Sequence, residues 1–145
     1  MWDRFSERAK RSVFFAQEET ARLHDNEVST GHLLLGLMRE ECSAWSVLDR
    51  LGISLEVVKD GVAAVLQPGG PNPIKEMMLS PSAKACIDRA YDEARALDEG
   101  YIGTEHLLMG IISEEVGAGR VLVGMGADLD KARAIVRELH SRAAE

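Results

Sequence analysis

With 145 residues, 46% apolar and 28% charged, the chain has the size and balance of one folded domain, or of two half-size units sharing a core, and not of a disordered tail or a fibre. Its 17 basic and 24 acidic residues leave a formal charge of −7, which argues against nucleic acid and anionic membrane surfaces as partners. Apolar runs fall far short of the roughly 20 residues that cross a bilayer, the charged start at Asp3, Arg4, Glu7, Arg8 and Lys10 lacks a signal-peptide pattern, and Cys42 and Cys86 form no CxxC pair, so a cytoplasmic location with two buried thiols is expected.

The first predicted element is a long helix opening at Ser6, whose side chain can cap it, with a buried stripe at Ala9, Val13, Ala16, Thr20 and Leu23. A second helix follows Ser29-Thr30, where threonine is expected to cap the free amides. It runs through His32-Leu33-Leu34-Leu35-Gly36-Leu37-Met38, apolar nearly all round, and is therefore expected to lie deepest. A short third helix carries Ala44, Val47, Leu48 and Leu51 and stops at Gly52, a residue that relieves a left-handed turn. The fourth starts at Ser54 and buries Leu55, Val58 and Val62.

After Gln67-Pro68-Gly69-Gly70-Pro71-Asn72-Pro73, which excludes regular helix, the whole series returns. A shift of 74 residues lays positions 5–66 on 79–140 without a gap, pairing Ala16 with Ala90, Thr30 with Thr104, His32 with His106, Gly36 with Gly110, and Glu40 with Glu114. The second copy opens at Ser80-Pro81, continues with a stripe at Ala83, Ile87, Ala90, Ala94 and Leu97, resumes after Gly103-Thr104, and places its last helix after Asp128. Two copies are too few for an open solenoid. The expected fold is all-α, one domain spanning 1–145 in which two tandem four-helix repeats, about 5–66 and 79–140, pack with pseudo-twofold symmetry across a linker at 67–78.

No catalytic constellation emerges from the residues. Glu18, Glu19, Asp92 and Glu93 read as a solvated face, and His32 and His106 as packing side chains without a ligand-spaced partner. No G-x-x-x-x-G-K-[ST] loop is present to hold nucleotide phosphates. No metal or cofactor is expected. Thr30 and Thr104 stand at helix N-termini, where unpaired amides and the positive end of the dipole attract anions.

The opening Met-Trp-Asp-Arg-Phe-Ser-Glu-Arg-Ala-Lys, the Ala-Gln-Glu-Glu of 16–19 and the run Tyr101-Ile102-Gly103-Thr104-Glu105-His106-Leu107-Leu108-Met109-Gly110 resemble the Clp N-terminal repeat domain, ClpC-type unfoldases above all. The resemblance spans both repeats. It implies a non-catalytic module that docks adaptor proteins and unfolded or marked substrates, and so links them to a Clp ATPase ring and its Clp protease. It also implies recognition of phosphoarginine, with a motif glutamate gripping the guanidinium and helix-end donors holding the phosphate.

Thr104 and Glu105 match that pattern, whereas in the first repeat Thr30 is followed by Gly31 where the family has glutamate. Any phosphoarginine is therefore expected to bind mainly through Glu105, since losing a charge-assisted hydrogen bond weakens a site roughly ten- to hundredfold. Trp2, Phe5 and Leu79, with Lys10 and Lys84, occupy equivalent ends of the two first helices and are the candidate border of a peptide or adaptor groove. The competing reading puts Phe5 and Leu79 in the core. The functional alternatives are a free-standing Clp-N protein that regulates a Clp ATPase or its adaptors, and a small enzyme using Glu105 and His106.

Overall fold

The computed structural model describes residues 2–66, 78–115 and 117–144. A single 3-10 turn, Trp2–Arg4, leads into α1 (Glu7–Arg22), β1 (Glu27–Val28), α2 (Thr30–Leu37), α3 (Ser43–Arg50) and α4 (Leu55–Val65). Then come β2 (Met78–Leu79), α5 (Pro81–Ala96), α6 (Thr104–Ile112), α7 (Ala118–Gly124) and α8 (Leu129–Ala144). Most of the expected linker, 67–77, lies outside the described residues, and Met78, counted with it on sequence grounds, belongs to β2.

Local chemistry sets the helix ends. Ser6 and Ser80 each accept a hydrogen bond from the amide three residues on, at 3.1 and 3.0 Å, and Pro81 takes the first helical position where no amide is needed. The turns after α3 and α7 use Gly52 and Gly126 at φ 78° and 101°, as their positions in the sequence imply. After α1 and α5 the left-handed position is filled instead by His24 and Asp98, again a repeat-equivalent pair.

The apolar helices α2 and α6 do form the interior. Every residue of α6 is buried, as is every residue of α2 but Leu35. Each crosses its preceding long helix at a glycine: a Cβ on Gly36 would stand 2.3 Å from the Ser12 carbonyl oxygen, and one on Gly110 2.4 Å from that of Cys86. Such contact is possible only between a bare backbone and a small-residue stripe, here Ala16 and Ala90.

The halves are joined reciprocally. Phe5 bridges Ile102, and β2 pairs with β1 in parallel, Leu79 opposite Val28. The Ser6 amide donates to the Ile102 carbonyl and the Ser80 amide to that of Val28, both at 2.9 Å. Phe5 and Leu79 are repeat equivalents, as are Val28 and Ile102, so each half lends its lead-in segment to the loop before the other's buried helix. This exchange is a twofold relation, and it supports the all-α, pseudo-symmetric architecture. One pairing of two residues and one single bridge are too short to leave an alternation in the sequence.

Two local expectations are corrected. The caps of α2 and α6 are Ser29 and Gly103, not the threonines, which sit one position inside with their side chains turned toward the opposite repeat. Glu19 and Glu93 are buried rather than solvated: Glu19 binds Arg22 at 2.6 Å and Arg39 at 3.1 Å, and Glu93 binds Arg133 at 2.7 Å. Glu18 and Asp92, beside them, are exposed.

Candidate functional site

The starts of α2 and α6 share one frame. His32 Nδ1 accepts from the Ser29 amide at 3.0 Å, and His106 Nδ1 from the Gly103 amide at 2.8 Å, so each ring closes the helix end from inside. A neutral imidazole that accepts on Nδ1 carries its proton on Nε2. In the first repeat that proton has a destination: His32 Nε2 lies 2.7 Å from Asp25 Oδ2. In the second repeat His106 Nε2 is buried without a hydrogen-bond partner. Burial pushes both rings below the usual histidine range, against the pull of Asp25 on His32 and of Glu105 on His106.

The threonines are spent on the repeat interface. The Thr30 hydroxyl donates to the Glu114 carboxylate at 2.8 and 3.1 Å, and the same carboxylate accepts from the Gly119 amide at 3.1 Å. Thr104 Oγ1 accepts from the Ala44 amide at 3.1 Å, so its hydroxyl closes the start of α3. Both threonines stand at helix starts, but their hydroxyls are engaged with the opposite repeat.

Glu105, at the second position of α6, is 5% exposed. Its carboxylate folds back over Gly103, where an added Cβ would fall 1.7 Å from Oε1, so a larger residue there would displace the carboxylate from this position. Oε1 has no hydrogen-bond partner. It approaches His106 Nδ1 at 3.4 Å, but that nitrogen already accepts the Gly103 proton, so two acceptors face each other and the contact is no hydrogen bond. Oε2 lies 3.5 Å from Nε2 of His140 on α8, whose Nδ1 is hydrogen-bonded to Glu99. The Tyr101 ring packs edge-on to His106 at 5.9 Å, and burial together with Glu105 and Glu99 pushes its phenol above the ordinary range.

Sequence spacing gave no partner for His106, yet folding brings His140 to 5.8 Å from it, ring to ring. Donor atoms of Glu105, His106 and His140 gather within 4.8 Å of one another. A divalent cation would need a lone pair from His106, and the capped Nδ1 with a protonated Nε2 leaves none. The carboxylates of Glu105 and Glu99 flank the His140 ring on its two nitrogens.

At the corresponding place in the first repeat a cavity of about 680 Å³ opens, lined by Thr30, Gly31, Leu66, Glu114 and Gly117 among others. A second, of about 720 Å³, lies between α1, α2 and α4, with Leu23, Leu35 and Met38 in its wall. Neither is lined by Trp2, Phe5, Lys10, Leu79 or Lys84. Phe5 is buried in the core, Leu79 is partly buried in β2, and Trp2 is exposed, stacking edge-on over Phe5 at 5.0 Å. Lys10 pairs with Glu7 at 3.2 Å, and Lys84 is exposed on α5.

The profile of the family described as the Clp repeat (R) N-terminal domain matches residues 4–125 and, again, 78–143. The negative regulator of genetic competence ClpC/MecB of Bacillus subtilis is 42% identical over 141 residues, 96% of this chain. The chain spans 17% of that relative's length. The crystal structure of the N-terminal domain of ClpD from Arabidopsis thaliana has a TM-score of 0.67 at 30% identity, covering 93% of this chain and 96% of that one. A ClpV N-domain solved in complex with a VipB peptide has a TM-score of 0.74 at 16% identity, covering 90% and 83%, a likeness of fold. No helix among the described residues is long and apolar enough to cross a membrane. With the family profile matching both repeats and a duplicated, reciprocally joined helical fold beneath it, the chain belongs to the Clp repeat N-terminal domain family.

Proposed function

We propose that this chain is a docking module, without chemistry of its own, that presents adaptors and marked or unfolded substrates to a Clp-type ATPase ring, and that Glu105 is its receptor for a guanidinium bearing a phosphate. The observation that carries the finer reading is the carboxylate of Glu105, buried with one oxygen lacking a hydrogen-bond partner at a helix N-terminus. A buried anion without a full set of partners favours a cationic ligand, and the first-turn amides of α6 favour an anion beside it. Phosphoarginine carries both a guanidinium and a phosphate. The first repeat has Gly31 at the matching position and lacks the carboxylate there.

Trp2, packed edge-on over Phe5, with Leu79, Lys10 and Lys84 at the starts of α1 and α5, is the adaptor-facing part of the same reading. Protein docking in the ClpV relative, whose N-domain holds a VipB peptide, is consistent with this role. Calorimetric titration with free phosphoarginine is the test. One dominant site is expected, weakened roughly ten- to hundredfold in Glu105→Ala. Two equal sites, or an unchanged affinity in that variant, would reject Glu105 as the receptor.

A further inference from the structure

The duplication supplies an internal control for the second site, because each of its groups has a counterpart 74 residues earlier. Asp25 corresponds to Glu99, Ser29 to Gly103, Gly31 to Glu105 and Leu66 to His140. In the first repeat the side chain from the fourth helix lies on the glycine: a Cβ on Gly31 would meet Leu66 Cδ2 at 2.8 Å. In the second repeat the same packing position holds an imidazole over a glutamate, with His140 Nε2 3.5 Å from Glu105 Oε2. His140 also draws Glu99 to its Nδ1. The carboxylate that would serve His106, as Asp25 serves His32 at 2.7 Å, is thereby engaged elsewhere, and the buried Nε2 of His106 is left without a partner.

We infer that His140 is an internal latch: its ring occupies the cation position of Glu105 and must leave before a guanidinium can enter. A ring protonated on both nitrogens donates toward Glu99 on one side and Glu105 on the other, imitating the two-sided donation of a guanidinium. Release has a defined alternative arrangement. Once His140 swings away, Glu99 is free to accept from His106 Nε2, reproducing the Asp25–His32 pair, and Glu105 is exposed to ligand. The two arrangements exchange the His140 contacts with Glu99 and Glu105 for a hydrogen bond that satisfies the buried His106 Nε2. The apparent affinity is then reduced by the fraction of molecules that are latched.

This rests on the reading of Glu105 as a guanidinium receptor, but the latch has a readout of its own. In NMR spectra of the whole chain with assigned histidine rings, His140→Leu, which copies Leu66, is expected to move the His106 Nε2 proton downfield to the position of its His32 counterpart. Adding Glu99→Gln should weaken that shift. With free phosphoarginine as the probe, His140→Leu is expected to bind about tenfold more tightly than the parent, and His140→Arg, which makes the internal cation permanent, more weakly. His140→Gln, a smaller change at the same point, serves if the leucine variant does not fold.

An unmoved His106 resonance in a folded His140 variant would overturn the latch, whatever binds. If the resonance moves but no variant binds phosphoarginine, the latch stands and the receptor assignment fails. If the resonance moves and phosphoarginine binds with parental affinity in His140→Leu, the ring does not block the site and the latch is rejected as a control on binding.

Discussion

Burial sets the acid–base behaviour of Cys86, Cys42, His32 and His106. Desolvation pushes the Cys86 thiol up to about 12 and raises Cys42 as well, so little reactive thiolate forms at neutral pH. A thiol reagent applied to the native chain near pH 8 should label neither residue, and both should react after denaturation; rapid labelling of the native state would contradict the packing. For the histidines burial works in the opposite direction. Their folded values lie below the ordinary 6.5, so the unfolded chain takes up protons first as pH falls. Their neutral forms therefore favour the fold fully above about pH 6.5, and that contribution is lost as pH drops from there toward the depressed folded values. Denaturant melts should show a lower midpoint at about pH 5.5 than at about pH 7.5. His106→Gln, whose side-chain oxygen can still accept from the Gly103 amide, should flatten part of that slope. The positions of these residues were legible from capping and periodicity, but the Glu19 and Glu93 ion pairs were not. An acidic residue beside a buried stripe reads as solvated until Arg39 or Arg133 arrives from another helix to cover it.

At the scale of helices, two pairs of glycines and alanines set how closely the units pack. Alanine is favoured over glycine by about 1 kcal/mol inside a helix, so Gly36→Ala and Gly110→Ala would stabilise α2 and α6 in isolation. In the fold the added methyl meets backbone atoms of α1 or α5 at 2.3 to 2.4 Å, and overpacking costs about 1–3 kcal/mol. Both variants should therefore lower the unfolding free energy measured in urea. Gly124 on α7 is the control: nothing lies within 4 Å of its virtual Cβ, and Gly124→Ala should be neutral or stabilising by up to about 1 kcal/mol. Equal effects at all three positions would mean that helix contact is not what the glycines serve. The matched pairs Ala16/Ala90 and Gly36/Gly110 were visible as repeats in the sequence. That they face one another, and not four separate neighbours, follows from helix crossing, which periodicity within one helix does not encode.

For the molecule as a whole, the contacts that cross between repeats decide whether the halves unfold together. Thr30 holds a buried carboxylate from the other half, whereas Thr104 accepts from a neutral amide there. Thr30→Val should cost about 1.5–3 kcal/mol, the range for a hydrogen bond to a charged group, and Thr104→Val somewhat less. In both variants a single coincident transition by fluorescence and circular dichroism is expected; a split transition would show that the halves are thermodynamically separate. Helix number, order, buried faces and the duplication were all readable along the chain, because they depend on local spacing, capping residues and the composition of each segment. The lead-in exchange between halves, the inward turn of both threonines, and the placement of His140 over Glu105 depend on contacts across many residues of chain. Such contacts are chosen by which surfaces fit once the helices pack, so they became visible only in three dimensions.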